Sequence, residues 1–318
     1  MHKLLVLLLV PALAIAAVKI EKVAWKGWPN CYRITNGEVE LIVTSDIGPR
    51  IMRYAFVGGP NLFAEFAAQL GGSGEKEWMP RGGSRLWMSP EDRVKSYALD
   101  NSPVQVKVVG AALEATQPVE KETGLQKQII VKLAAAGSKV EVIHRLRNAS
   151  GRTLEYAPWV LTMMALNGTG ITGFPPRGRH PIDLAPSNPL VMWPYTDLSD
   201  KRWIFTRKYL ALRQDPKNAQ AEKIGMFNPN TWGAYLLGDQ LFVKRYQADA
   251  KKTYPDFGCS YETFTNAEFL EIETVGPLEK VATGAAAEHV EYWSLHRGIR
   301  LKGWTDAELD RVLLPLLK

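Results

Sequence analysis

The stretch CYRITNGEVELIVT, residues 31–44, decides the fold class. Two runs of strand-forming residues flank Asn36-Gly37, a dipeptide suited to the positive φ angles of a tight hairpin. The same grammar recurs along the chain. RIMRYAFV at 50–57 runs into Gly58-Gly59-Pro60-Asn61, and KQIIVKLAA and KVEVIHRLR flank Gly137-Ser138. WGAYLL and LFVKRYQA flank Gly238-Asp239, and SYETFT and EFLEIETV flank Asn266-Ala267. VQVKVV at 104–109, ALEATQPV, and HVEYWSLHR at 289–297 add further runs. Apolar positions recur at a spacing close to two, with many β-branched and aromatic residues, which is the signature of strands. LEYAPWVLTMMAL at 154–166 reads as one long buried strand, or as two broken at Pro158. Strand after strand with tight turns predicts an all-β, antiparallel architecture.

Two regions interrupt the pattern. Residues 58–100 are rich in Gly, Pro and mixed polar residues, and residues 167–231 carry many prolines and aromatics with few strand signals. Loops of this length in a compact domain usually carry function, so both are expected over one end or face of the sandwich. At the C-terminus, Thr305-Asp306-Ala307-Glu308 is a capping box ahead of LDRVLLPLL. It predicts a short terminal helix that Pro315 ends or kinks. With no internal repeat, residues 18–318 are expected to form a single β-sandwich domain.

Met1-His2-Lys3 is a short basic start, and the run from Leu4 to Ala17 is uncharged and ends Ala14-Ile15-Ala16-Ala17. This is the pattern of a signal peptide over 1–17, cleaved after Ala16 or Ala17, and it predicts a secreted or periplasmic protein with no membrane span once the leader is removed. The formal charge is +6, from 39 Lys and Arg against 33 Asp and Glu, without any basic run, so nucleic acid is not an expected partner. The two cysteines, Cys31 and Cys259, would either bridge in an oxidising compartment or remain buried thiols. No HExxH, GxSxG, Walker, dinucleotide-glycine or CxxC motif is present, and no metal or cofactor is expected.

Several residues invite chemistry. In FLEIETVGPL at 269–278, Glu271 and Glu273 share a strand face with Phe269, while Leu270 and Ile272 occupy the other. Adjacent carboxylates raise one another's pKa, which can generate a general base or a clamp for sugar hydroxyls. Arg50 and Arg53 point to opposite sides of their strand, so one can face a pocket while the other pairs with a surface carboxylate. In EWMPRGGSRLWMSPEDR at 77–93, Gly82-Gly83 lets the backbone approach a ligand. There Arg85 and Trp87 would present a donor fork beside a stacking platform, with Glu91 close by. The Pro-rich run 174–203 contributes His180 as a titrating acid and Trp193 and Tyr195 as aromatic surface. Asp197 and Asp200 read as turn or cap residues rather than calcium ligands. His144, in phase with Val140, Val142 and Leu146, reads as a core residue.

NCYRITNGEVELIVTSDIGPRIMRYAFVGGPNLFAE, GGSRLWMSPED, APWVLTMMA, FPPRG, WPYTDLSD, YPDFGCSYETFTN and LEIETVGPL together resemble the DUF4380 family of secreted bacterial proteins, within the galactose mutarotase-like superfamily. The resemblance spans roughly residues 25–315. It implies a β-supersandwich of two large antiparallel sheets with saccharide bound on the concave side. It also implies that FLEIE carries the general base of mutarotases, with Glu273 in that place. The mutarotase acid histidines have no counterpart: YAPWVLTMM offers Pro158 and Trp159, and Ser84 precedes Arg-Leu-Trp. The acid would then be His180 or a protonated carboxyl such as Glu262 or Glu91. The expected function is a secreted saccharide-binding protein, an aldose 1-epimerase-like isomerase if active. The alternatives are a saccharide-binding module without chemistry and a polysaccharide lyase with Tyr195 as base.

Overall fold

A computed structural model describes residues 17–186 and 190–317. The leader expected over 1–17, with its cleavage point, lies outside the described residues except for Ala17. Two antiparallel sheets face each other. The first has eleven strands, in the order Lys19–Trp25, Trp28–Thr35, Val39–Val43, Arg50–Phe56, Ser84–Ser89, Leu154–Met164, Leu270–Val275, Tyr261–Thr265, Glu222–Met226, Leu190–Met192, with Glu279–Val281 beside one end of Leu154–Met164. The second has ten, in the order Trp203–Phe205, Tyr209–Arg213, Thr169–Gly173, Trp232–Leu237, Gln240–Arg245, Ala286–Arg297, Val140–Asn148, Leu125–Leu133, Ala112–Thr116, Gln105–Val109. The two sheets form a large antiparallel β-sandwich.

Side-chain alternation drives the stacking. Leu270 and Ile272 of the first sheet meet Phe242, Trp293 and Leu295 of the second in one continuous core. At its centre Tyr54, Phe63, Phe242 and Trp293 pack with ring centroids 5.5 to 6.4 Å apart, most of them edge-on or tilted. An ion pair sits inside this apolar layer. Lys244 Nζ lies 2.9 Å from Glu291 Oε1, both side chains fully enclosed. Trp293 Nε1 donates to Glu291 Oε2 at 2.8 Å, and Lys244 donates to Thr162 Oγ1 at 2.7 Å. Satisfying every lone pair and proton is what makes a buried pair tolerable.

The strand over 154–164 is continuous. Pro158 falls where its partner changes: Glu279–Val281 pairs with residues 154–156, and Leu270–Val275 with 159–164. The missing N–H of Pro158 therefore costs no ladder bond, and its carbonyl accepts from Gly276 N at 2.8 Å. Gly238-Asp239 forms the expected two-residue turn, Leu237 pairing with Gln240. The Asn36-Gly37 hairpin is longer, with four residues between the partners Thr35 and Glu40. Asn36 Oδ1 accepts from the N–H groups of Glu38 and Val39 and holds that wider loop.

Strand Lys19–Trp25 was not anticipated, and neither interrupted region is plain loop. Region 58–100 contains Ser84–Ser89, and region 167–231 contains Thr169–Gly173, Leu190–Met192, Trp203–Phe205, Tyr209–Arg213 and Glu222–Met226. The terminal helix Asp306–Leu313 starts as its capping box requires, Thr305 Oγ1 accepting from Glu308 N at 3.3 Å. Leu309 and Leu313 dock it on the outer side of the second sheet, against Ile171, Ala211 and Trp232. No described helix is long and apolar enough to cross a membrane. Cys31 and Cys259 are both free and buried. Cys31 packs with Trp28, Ile42 and Met52, whereas Cys259 Sγ abuts Gly225, so no bridge forms.

Candidate functional site

Strand register assembles the site on the face of the first sheet turned away from the second. Residues directly opposite one another in neighbouring strands share a face. Arg50 pairs with Arg85, Arg85 with Leu161, Leu161 with Glu273, and Glu273 with Glu262, giving one row across five strands. The next row runs Met163, Glu271, Phe264, Lys223. On the other side lies Trp87, Trp159, Val275. Six ionisable residues and two indoles thus meet on one face within three rows.

Loops bury this face. Glu262 and Glu273 are 0 % exposed, and Arg85, Lys223 and Glu271 no more than 6 %. Lys223 Nζ lies 2.8 Å from Glu262 Oε2 and 2.9 Å from Glu273 Oε2, and Trp159 Nε1 donates to the same Glu273 oxygen at 2.9 Å. The ammonium sits between two indoles, 4.8 Å from the Trp159 ring centre and 4.6 Å from that of Trp193. Arg85 is similarly held, its guanidinium 5.1 Å from Trp78 and 4.4 Å from Trp87. It approaches Glu271 Oε1 at 3.2 Å without hydrogen-bond alignment.

Burial lifts Glu271 to about 7; Arg85 opposes the rise and Glu273 adds to it. Burial also raises Glu262 well above the carboxylate range, against the pull of Lys223. For Lys223 burial disfavours the charge, yet Glu262 and Glu273 hold the ammonium well above the usual lysine range. Burial raises the Tyr195 phenol too, so it stays protonated.

Two cavities open over these groups. One, of about 270 Å³, is walled by Trp78, Trp87, Trp159, Tyr195 and Phe269, with Arg85, Glu271 and Lys223 as polar groups. The other, of about 420 Å³, is lined by Arg93, Trp193, Asp256 and Glu262. Glu91, Tyr97, Trp159 and Lys223 belong to both. Buried atoms without hydrogen-bond partners gather here: Arg85 Nε and Nη1, Glu271 Oε1, Glu273 Oε1, Glu262 Oε1 and Trp78 Nε1. Aromatic walls enclosing polar groups with unmet bonds are what a ligand with alternating C–H and O–H surfaces requires.

The sequence candidates separate accordingly. Glu271, Glu273, Glu262, Arg85, Trp87, Glu91, Trp193 and Tyr195 are gathered around the two cavities. Glu271 reaches the first cavity, while Glu273 lies beneath Lys223 and lines neither. Arg53 turns away, Nε donating to Glu40 Oε1 and Nη2 to Gly59 O, both at 2.8 Å. Arg50 shares the site face but is committed to the scaffold. It donates to Asp100 Oδ2 at 2.8 Å and to the carbonyls of Met79, Pro80 and Gly82, tying down the loop that carries Trp78. His180 sits in an exposed stretch and lines neither cavity. Gly82 and Gly83 approach protein backbone rather than a ligand; a Cβ on Gly82 would come within 2.0 Å of Ala64 O. His144 is buried at 1 % exposure, as its phase implied.

Sequence reasoning missed Lys223, Trp78, Trp159 and Tyr97 as site residues. Lys223 stands in EKIGM, whose alternation of Glu222, Ile224 and Met226 against Lys223 and Gly225 is a strand signal with a cation on one face.

No protein-family model and no curated protein matches the sequence. Solved structures do. A galactose mutarotase-like protein from Lactobacillus casei superposes with TM-score 0.56 at 10 % identity, over 84 % of this chain and all of its own. The fold is galactose mutarotase-like. A galactose mutarotase-like protein from Clostridium acetobutylicum gives TM-score 0.52 at 9 % identity, over 88 % of this chain and 99 % of its own. A putative mutarotase from Salmonella typhimurium gives 0.50 at 10 % identity, over 88 % and 97 %.

Proposed function

We propose that this protein binds a saccharide in the paired cavities and transfers protons at its anomeric centre, as an aldose 1-epimerase-like isomerase. The observation that carries the reading is Glu271: a carboxyl poised at about 7, on the wall of an aromatic cavity, beside Arg85 and Lys223. A pKa matched to neutrality is what a general acid–base group needs. In this reading ionised Glu271 takes the proton from the anomeric hydroxyl. The Tyr195 phenol, on the same cavity, gives its proton to the ring oxygen. The C1–O5 bond breaks with its electron pair going to O5, and C1 becomes an aldehyde. Rotation about C1–C2 and reversal of both transfers closes the other anomer and restores both residues. The nearby Lys223 charge favours the transient phenolate. Glu273 anchors Lys223 from below, which moves the proton-transfer role to its neighbour on the strand. The quoted motifs support placement in the DUF4380 family, and the Leu4 to Ala17 run supports secretion.

Polarimetry on freshly dissolved α-sugars, with calorimetric titration alongside, tests this. Glu271→Gln should slow anomer interconversion by about 10²-fold or more while sugar binding survives. Unchanged turnover in that variant removes Glu271 from the chemistry. Tight binding by the wild-type protein with no rate above buffer leaves a binding module instead.

A further inference from the structure

The preferred ligand follows from how the cavity pair is partitioned, and it rests on the saccharide reading above. The two spaces are separate but adjoin along a common wall formed by Trp159 and Lys223, with Glu91 and Tyr97 at the rim. Typical small-molecule pockets span roughly 300–1,000 Å³; the first cavity, about 270 Å³, falls below that range and the second, about 420 Å³, lies near its lower end. Each also carries a full recognition set of its own. The first has the Trp87 platform, the Arg85 donor fork and the Glu271 acceptor. The second has the Trp193 platform, Arg93 and the carboxyls of Glu262 and Asp256. The polar atoms left outside ion pairs divide the same way, with Arg85 Nε on one side and Glu262 Oε1 on the other. A single sugar ring in the first cavity would leave the second platform empty and Glu262 Oε1 buried without a partner, a standing desolvation penalty.

We propose that the site is built for a saccharide of at least two units, one ring in each cavity, with the linkage between them passing over Lys223 and Trp159. The first ring meets the proton-transfer groups and the second supplies binding contacts. Joining two units makes the second contact intramolecular, so affinity rises without any change in the first.

Calorimetric titration at neutral pH decides it, with methyl glucoside, galactoside and mannoside compared against cellobiose, lactose and mannobiose. At least one disaccharide should bind about tenfold tighter or more than either component ring. Arg93 is exposed, forms no ion pair among the described residues and lines only the second cavity, so Arg93→Ala should fold normally. Arg93→Ala and Trp193→Ala should each drive the ratio of disaccharide to monosaccharide affinity toward one. Trp87→Ala should weaken both ligands together and keep the ratio. Monosaccharides binding as tightly as every disaccharide, or Arg93→Ala and Trp193→Ala preserving the ratio, overturns the two-unit assignment and leaves the saccharide reading standing. Failure of all six sugars to bind removes the saccharide reading itself, and this inference with it.

Discussion

Lys223 is the residue on which the site turns. It is the cation shared by Glu262 and Glu273, enclosed by two indoles. Replacing it with Met would leave two buried carboxyls facing each other across neighbouring strands without a counter-charge. Removing one partner of a buried pair typically costs about 3–5 kcal/mol, and urea denaturation of Lys223→Met should show a loss of that order. Glu271 makes a separate prediction. In the proposed mechanism the carboxylate is the working base, so turnover should rise with pH through about 7. Its effect on stability runs the other way. Because the folded-state value lies above the ordinary carboxyl value of 4.5, the native state holds more protons between about 4.5 and about 7. For this group stability therefore falls as pH rises across that window. The sequence exposed Glu271 and Glu273 as a pair because a period of two places them on one face. Which of them reaches open space depends on Lys223, and that residue lies in a short strand hidden among turn-rich sequence.

At the scale of elements, the strand Ser84–Ser89 is positioned by the glycine pair before it. Gly82 and Gly83 both have positive φ, and a Cβ on Gly83 would lie 2.6 Å from Ile51 O. Strain in φ and contact with rigid backbone act together. Gly82→Ala should destabilise the fold by about 2 kcal/mol or more and loosen ligand binding by displacing Arg85; thermal unfolding and titration calorimetry read the two effects. The strands anticipated from sequence are those whose alternation spans five or more residues between turn residues, such as Leu125–Leu133 and Ala286–Arg297. Ser84–Ser89 escaped notice because both its faces are buried, one by the core and one by the site loops, so its residues do not alternate. The prolines and aromatics of 174–203 read as a ligand loop; Trp193 and Tyr195 do reach the cavities, while His180 stays outside them.

For the whole molecule, two consequences are measurable. His144 and His289 are buried, and burial lowers both to about 4. An unfolded histidine titrates near the reference value of about 6.5. The unfolded chain thus binds more protons below that value, and the stability these residues contribute is lost as pH falls through about 4. Equilibrium denaturation at each pH between 7 and 4 should show the wild-type protein losing stability relative to His144→Gln as pH falls. Cys31 and Cys259 are apart, so adding a reductant should leave the melting temperature unchanged, and denatured protein should titrate two thiols. Sequence could not choose between bridge and free thiols, because that depends on which end of the sheet each strand brings to its neighbour.

The ion pair on the inner face of the second sheet also limits how its strands can be assembled. Lys244 reaches Glu291 only when Gln240–Arg245 presents its even-numbered residues inward opposite Ala286–Arg297. A slip of one position along that pairing would turn the ammonium outward and strand a carboxylate in hydrocarbon. Such misaligned arrangements would be far poorer in free energy than the native one. The sandwich therefore contains its own proofreading step, and a partly formed core has good reason to come apart and try again until the two charges meet.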